Sequence, residues 1–245
     1  MKALLVDLDD TLLDYTGGVE ESWIEACSTV AGPAGVDLGA LVSAIARARR
    51  WLWSDPQRHR RERIDMPGAW RKIAERGLEE AGMPDAALAA DIAGHYAARR
   101  WERMALFPGV PEALDRLRER GVSLALVTNG DRTQQRRKVE QYDLARFFDA
   151  ILIEGEFGLG KPDEAVYLHV LDRLGARPSE AWMVGDNLEW DVTAPQRLGL
   201  RGVWVDVQGQ GLPGALPARP DLIIPRFTEI LTVVPATGST AAAGA

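Results

Sequence analysis

The chain has 245 residues, of which 46% are hydrophobic and 27% charged, and its formal net charge is −7. The negative charge gives no support to nucleic acid as a partner, because proteins that bind the phosphate backbone usually carry the opposite sign. The single cysteine, Cys27, excludes an intrachain disulfide and a multi-cysteine metal site. No signal peptide and no apolar stretch of the roughly 20 residues that span a membrane is visible, so we expect a cytoplasmic protein with no membrane partner.

The first predicted element is a buried strand over residues 3–8, a continuous apolar run that ends in polar residues. Apolar positions at helical spacing follow over residues 17–103, and prolines divide this region into about four helices. We therefore predict an all-helical cap domain over residues 15–103, inserted after the first strand.

Strand and helix patterns alternate after residue 107. Strands are predicted over residues 123–128, 150–153, 181–184, 202–205 and 222–224, and helices over 111–120, 131–142, 164–174 and 188–198. Such a succession predicts an α/β fold in which helices cover both faces of a parallel sheet. The predicted core domain comprises residues 1–14 and 104–234. A tail rich in Ala, Gly, Ser and Thr, residues 235–245, is predicted to be disordered.

Polar residues follow four of the predicted strands. Because ligands of a parallel sheet bind beyond the carboxyl ends of its strands, we expect these side chains to meet at one edge. The residues are Asp7, Asp9, Asp10 and Thr11; Thr128, Asn129 and Gly130; Lys161 and Pro162; and Gly185, Asp186, Asn187 and Asp191.

The carboxylates of this set predict a divalent cation, because clustered carboxylates repel one another unless a cation holds them together. Oxygen ligands without a His or Cys cluster suit Mg²⁺. We assign the side chains of Asp7 and Asp186 and the backbone carbonyl of Asp9 as its ligands. Asp191 and Thr11 are expected to hold these ligands in place without contacting the ion themselves.

The same residues predict phosphoryl transfer to a carboxylate. Asp7 can attack phosphorus once a metal and Lys161 reduce its charge. Asp9 can protonate the leaving oxygen and later deprotonate the hydrolytic water. Thr128, Asn129 and Lys161 are expected to bind the phosphoryl oxygens.

These motifs resemble those of the haloacid dehalogenase superfamily. Residues 7–11 resemble its DxDxT motif, residues 126–130 the second motif, residues 161–162 the third and residues 185–191 the fourth, in the family order. The resemblance implies a Rossmann-like core with a C1-type helical cap, Mg²⁺ dependence, and the roles given above for Asp7 and Asp9. Residues 128–132 and 135–140 are similar to the branch that contains N-acylneuraminate-9-phosphatases and YjjG-type nucleotidases.

The resemblance leaves several activities to weigh. The dehalogenases lack the second aspartate of the first motif, so the presence of Asp9 disfavours dehalogenation. The Schiff-base chemistry of phosphonatases is disfavoured because nothing around Lys72 suggests a depressed pKa. We expect hydrolysis of a small phosphorylated metabolite, such as a sugar phosphate or nucleoside monophosphate. The alternatives are a non-catalytic phosphometabolite-binding protein and a phosphoryl transferase such as a mutase, and the oligomeric state is open.

The arginine- and tryptophan-rich segment 47–63 allows two interpretations. It could be a surface for an anionic or planar substrate, including Arg50 and Trp51, or a solvated helix face whose tryptophans pack in the cap core. We favour the second for most of its arginines. Asp10, Cys27, His59, His95 and His169 are predicted to be structural.

Overall fold

The computed structural model describes residues 1–214 and 219–234. The chain forms two compact units, one comprising Met1–Asp14 and the chain from Leu106 onward, the other Tyr15–Ala105. The second unit ends at Ala105, two residues beyond the predicted position at 103. Met104, which caps the last helix of this unit, donates its N–H to the carbonyl of Arg100. The tail predicted to be disordered, residues 235–245, lies outside the described residues.

A parallel sheet forms the centre of the first unit. In the described residues it has six strands in the order β3-β2-β1-β4-β5-β6. The strands are β1 (Ala3–Val6), β2 (Ser123–Thr128), β3 (Ala150–Ile153), β4 (Ala181–Gly185), β5 (Arg201–Val205) and β6 (Leu222–Ile224). Every residue of β1 is fully buried, as expected for a central strand covered on both faces. The predicted α/β class with a Rossmann-like parallel sheet is confirmed.

The second unit is helical throughout its regular elements. Its α-helices are α1 (Val19–Ala31), α2 (Leu38–Ser54), α3 (Pro56–Glu62), α4 (Met66–Glu80) and α5 (Ala86–Arg103). The described residues of this unit form five α-helices where about four were predicted, although Pro56 is one of the prolines expected to divide the region. The Asp55 carboxylate accepts the N–H of Arg58 and so begins α3 at Pro56. Trp23 stacks on Tyr96 in its core, with 3.9 Å between ring centroids, and Cys27 is buried nearby.

The helices of the first unit follow the predicted alternation. They are α6 (Val110–Glu119), α7 (Arg132–Gln141), α8 (Glu154–Phe157), α9 (Glu164–Arg173), α10 (Ala194–Arg197) and α11 (Ile230–Val233). The helix predicted over 188–198 is divided, because its first half, Leu188–Thr193, is a π-helical turn that precedes α10. Across residues 1–214 and 219–234, no helix is long and apolar enough to cross a membrane.

Candidate active site

The candidate site lies in the first unit at the carboxyl ends of β1, β2 and β4. The strand order reverses between β1 and β4, which is the point where open α/β sheets bind ligands. Asp7 follows β1 and donates its backbone N–H to the carbonyl of Val184 at 3.0 Å. Thr128 is the last residue of β2, and Asp186 follows β4 directly. Strand pairing alone therefore brings these three residues to one edge.

Lys161 holds the two buried carboxylates Asp7 and Asp191 together. Its Nζ atom donates to Asp7 Oδ1 at 2.7 Å and to Asp191 Oδ1 at 2.6 Å, and the lysine side chain is 1% exposed. Burial disfavours the charge of Lys161, but the Asp191 and Asp7 carboxylates outweigh it and raise the pKa of the ammonium above its usual range. The lysine is therefore a fixed positive charge beside Asp7.

The carboxylates oppose one another in spite of this lysine. Burial, with a further contribution from the Asp191 charge, raises the pKa of Asp7 to about 7, although Lys161 opposes the shift. Burial and the charges of Asp7, Asp191 and Asp10 raise the pKa of Asp186 to about 8. These shifts mark a site in which negative charge is in excess.

The arrangement fits a magnesium ion. Asp7, Asp186 and Asp191 each offer an oxygen atom, and these atoms lie within 4.8 Å of one another. Such hard oxygen donors match Mg²⁺, and a cation would relieve the excess negative charge. Both oxygens of Asp191 already have partners, because Oδ1 accepts from Lys161 and Oδ2 accepts the N–H of Asn187 at 3.0 Å. Asp7 is hydrogen-bonded at both oxygens as well, but its side chain is 10% exposed and that of Asp191 only 1%, so the supporting position of Asp191 stays a prediction.

Local structure explains where Asp186 and Asp191 lie. The indole N–H of Trp204 donates to the backbone carbonyl of Asp186 at 2.8 Å and fixes that turn. Asp191 lies in the π-helical turn, and such turns are frequent at functional sites. A Cβ atom at Gly185 would lie only 2.2 Å from Asp191 Oδ2, so this approach requires glycine.

Thr11 and Asp10 shape the loop that follows β1. The Thr11 hydroxyl is buried and donates to Asp7 Oδ2 at 3.3 Å. Asp10 adopts a left-handed backbone conformation with φ of 56° and donates its N–H to the carbonyl of Leu13 at 2.7 Å. The loop thus turns back on itself and leaves Asp7 and Asp9 at the sheet edge.

Asp9 is held by two α7 residues that the sequence analysis did not assign to the site. Lys138 Nζ donates to both carboxylate oxygens of Asp9, at 2.8 and 2.7 Å. Gln135 Nε2 donates to Asp9 Oδ2 at 3.1 Å and to Thr128 Oγ1 at 2.6 Å. Residues 135–140 resemble a family branch in sequence, but no site role was predicted for them. The available signal was two long polar side chains three residues apart, on one helix face.

The side chain of Asn129 links two loops. Its Nδ2 donates to the carbonyl of Lys161 at 2.8 Å, and its Oδ1 accepts the N–H of Lys161 at 2.7 Å. The amide group has a second N–H on Nδ2, so the predicted contact of Asn129 with phosphate stays a prediction. Glu154, which the sequence analysis missed, accepts the N–H of Gly130 at 2.9 Å. It follows β3 directly, and position after a strand was the signal that could have found it.

The arginine- and tryptophan-rich segment 47–63 belongs to the helical unit. Arg47 pairs with Glu80 at 3.0 Å, and Arg49 pairs with Glu20 at 2.6 Å. Trp51 is 39% exposed and lies between the guanidinium groups of Arg58 and Arg76, at 3.9 and 4.2 Å from its ring centroid. These contacts are internal to the unit. The assignment of the arginines to a solvated face stays a prediction. The expectation that the tryptophans pack in the cap core is wrong for Trp51, whereas Trp53 packs against that core.

Comparison with known proteins identifies the family. The model for haloacid dehalogenase-like hydrolases matches residues 1–199, and the chain belongs to this family. A phosphoserine phosphatase of Thermus thermophilus is 36% identical over 250 aligned positions, which cover 94% of this chain and 98% of the relative. The N-acylneuraminate-9-phosphatase of Rattus norvegicus is 36% identical over 132 positions, which cover 54% of this chain and 52% of the relative.

A solved structure extends the similarity to the fold. YfnB, a HAD-hydrolase of Bacillus subtilis whose crystal structure contains magnesium, superposes with a TM-score of 0.71 at 21% identity, over 95% of this chain and 97% of that one. The chain is an enzyme of the HAD-like phosphatase class. The predicted resemblance and enzyme class are therefore confirmed.

Proposed function

We propose that the protein hydrolyses small phosphomonoesters in a Mg²⁺-dependent reaction through an aspartyl-phosphate on Asp7. The observation that carries the proposal is the buried Asp7 carboxylate, 2.7 Å from the Lys161 ammonium and grouped with Asp186. A carboxylate in this setting can attack a phosphorus atom without the full repulsion between two anions.

The proposed reaction has two steps. In the first, an Asp7 oxygen forms a bond to phosphorus, the bond between phosphorus and the leaving oxygen breaks, and Asp9 gives that oxygen a proton. In the second, Asp9 takes a proton from water, the water oxygen attacks phosphorus, and the Asp7 carboxylate leaves. Lys161, the Thr128 hydroxyl and the main-chain N–H of Asn129 would stabilise charge on the phosphoryl oxygens in both steps.

Asp7, Asp186 and the backbone carbonyl of Asp9 would hold the magnesium ion, supported by Asp191 and Thr11. The ion would supply positive charge to the phosphoryl group and to the carboxylates around it. The raised pKa values of Asp7 and Asp186 support this assignment, because they reflect negative charge that a cation would neutralise.

For the substrate, phosphoserine is the first candidate to test. The relative that bears this activity in its name aligns over 94% of the chain, helical unit included. Sugar phosphates and nucleoside monophosphates are the next candidates; the rat relative, an N-acylneuraminate-9-phosphatase by name, matches 54% of the chain.

The test is phosphate release from p-nitrophenyl phosphate and from a panel of about a hundred phosphorylated metabolites, with Mg²⁺ and with chelator. Asp7→Asn is expected to lower kcat by at least about 10³-fold, because it removes the nucleophile. Asp115→Asn, an exposed carboxylate on α6, is the matched control and is expected to retain full activity.

Each alternative activity predicts a different measurable result. Binding of phosphometabolites without phosphate release by the wild type would indicate a non-catalytic protein. Faster transfer to a sugar hydroxyl than to water would indicate a mutase. Halide release from a 2-haloacid would indicate dehalogenation. We do not expect it, because displacement of halide needs no proton donor and Asp9 would then have no role.

A further inference from the structure

Two buried polar residues of α7 meet the carboxylate of Asp9. Lys138 and Gln135 are each 2% exposed, and they lie three residues apart on the helix face that contacts Asp9 and Thr128. Lysine is almost never fully buried unless it is paired. The burial of Lys138 therefore requires a structural or functional explanation, and its bonds to Asp9 point to one.

The contact is well defined geometrically. Lys138 engages both oxygens of Asp9 at 2.8 and 2.7 Å, while Gln135 reaches Oδ2 of the same carboxylate at 3.1 Å. The second Gln135 bond, 2.6 Å to the Thr128 hydroxyl, ties this group to β2. The lysine side chain is 3% exposed and that of Asp9 is 24% exposed. The carboxylate is thus fixed from the α7 side and still reachable from solvent.

We propose that Lys138 and Gln135 are positioning residues that orient the Asp9 carboxylate for its two proton transfers. The inference rests on the proposed function, because it assigns these residues to the acid and base that the reaction needs. An isolated carboxylate on a loop samples several rotamers, whereas one fixed at both oxygens keeps a single orientation. Loss of the lysine would leave the nucleophile intact and misplace the proton donor.

The dependence on the leaving group separates this role from a general structural role. Bond breaking to a strongly basic leaving oxygen needs a proton in the transition state, whereas a weakly basic leaving group departs without one. Phenyl phosphate has a basic leaving group, and 2,4-dinitrophenyl phosphate has a weakly basic one. A misplaced Asp9 should therefore slow cleavage of the first ester far more than cleavage of the second.

The experiment compares kcat/KM for the two esters in the wild type, Lys138→Met and Arg136→Met, all with Mg²⁺. For Lys138→Met we expect kcat/KM to fall about 30- to 100-fold with phenyl phosphate and less than about 3-fold with 2,4-dinitrophenyl phosphate, since a positioned acid contributes about 10²- to 10⁴-fold. Arg136 lies on the same helix in a surface ion pair with Glu156, so Arg136→Met is expected to change neither value.

A second readout follows the intermediate. Hydrolysis of the aspartyl-phosphate needs Asp9 as a base whichever ester formed it. Lys138→Met should therefore give a burst of 2,4-dinitrophenolate, about one equivalent per enzyme, followed by turnover slower than that of the wild type. The burst shows that the nucleophile still works.

The outcomes distinguish the inference from the proposed function. A wild type inactive on both esters would contradict the proposed function and the inference with it. An active wild type with equal losses on both esters in Lys138→Met, or with no loss, would overturn the inference alone. If Lys138→Met does not fold by circular dichroism, Lys138→Gln, which keeps a polar side chain but cannot reach Asp9 with an ammonium group, decides the question, with an expected loss of about 3- to 10-fold confined to phenyl phosphate. Equal losses in that variant would also overturn the inference.

Discussion

At the scale of single residues, the site depends on one buried cation between two buried anions. Lys161 contacts Asp7 and Asp191 within 2.7 Å, and all three are almost completely buried. Together the two contacts contribute little to the net free energy of unfolding, because burial of the charges is costly. Removal of the lysine alone, however, leaves two buried carboxylates without their partner.

Lys161→Met is therefore expected to abolish activity and to lower the free energy of unfolding by about 3–5 kcal/mol, the usual cost of breaking a buried ion pair. The loss of unfolding free energy should be larger at pH 8 than at pH 5. At pH 5 the carboxyl groups that lack their lysine partner can be protonated, whereas at pH 8 they must carry buried charge. Urea unfolding followed by circular dichroism at both pH values measures it. An unchanged midpoint would contradict the role given to Lys161.

Asp186 provides a prediction about the pH dependence of the wild-type stability. Its pKa is raised by burial and by the neighbouring carboxylates to about 8. A carboxyl group with a raised native pKa contributes stability that is present below its unfolded pKa near 4 and is lost as the pH rises towards 8. In chelator, the wild-type Tm should therefore decrease between pH 5 and pH 8.

Asp186→Asn is expected to be catalytically inactive and to have a higher Tm than the wild type at pH 8 in chelator, because the substitution removes one of the repelling charges. Mg²⁺ should raise the Tm of the wild type and leave that of the variant unchanged. Thermal unfolding with chelator or Mg²⁺ at each pH tests both statements. A Tm gain with Mg²⁺ in the variant would argue against Asp186 as a ligand.

At the scale of elements, the π-helical turn after β4 sets the position of Asp191. Gly185, the last residue of β4, allows the Asp191 carboxylate to approach its backbone. Any side chain there would push this carboxylate away and disturb the lysine that it holds.

Gly185→Ala is accordingly expected to lower kcat/KM by about 10²-fold, because small displacements of a supporting group misplace the reacting groups. Gly94→Ala is the control: Gly94 lies in α5, a Cβ atom there has open space, and alanine should raise helix stability slightly. Steady-state kinetics and thermal unfolding of both variants test this pair. Equal activity of Gly185→Ala and the wild type would show that the turn tolerates the shift.

The elements differ in how far the sequence predicts them. The strand predicted over 123–128 has the observed bounds of β2, because a buried strand of a parallel sheet is a continuous apolar run between polar loops. Leu188–Thr193 has the apolar spacing of an ordinary helix, and periodicity does not distinguish a π-helical turn within it. The four residues of α8 are too few to show a helical period at all.

The site was predictable to the extent that its residues follow strands. Asp7, Thr128 and Asp186 come to one edge because their strands are neighbours, which the βαβ pattern implies. The bond from Lys138 to Asp9 joins residues 129 positions apart, and its existence depends on the side-chain directions of α7. The three-residue spacing of Gln135 and Lys138 places them on one helix face, but it does not identify the loop that this face meets.

At the scale of the whole molecule, the reactivity of the Cys27 thiol measures how readily the helical unit opens. Burial raises the pKa of its thiol to about 11, so at pH 8 the native thiol is both inaccessible and protonated. We expect no reaction with a disulfide reagent such as DTNB in buffer and one equivalent of reaction in concentrated urea. Rapid labelling of the native protein would show that the unit opens readily.

The central position of β1 has a consequence for synthesis on the ribosome. The residues of β1 pair with Ser123–Leu126 on one side and Ala181–Val184 on the other, so its partners are translated more than a hundred residues later. The apolar segment that precedes Asp7 therefore emerges before its native neighbours and stays without them while the helical unit is made. During that interval it presents unpaired strand edges to other nascent chains, a state that favours aggregation and the binding of chaperones.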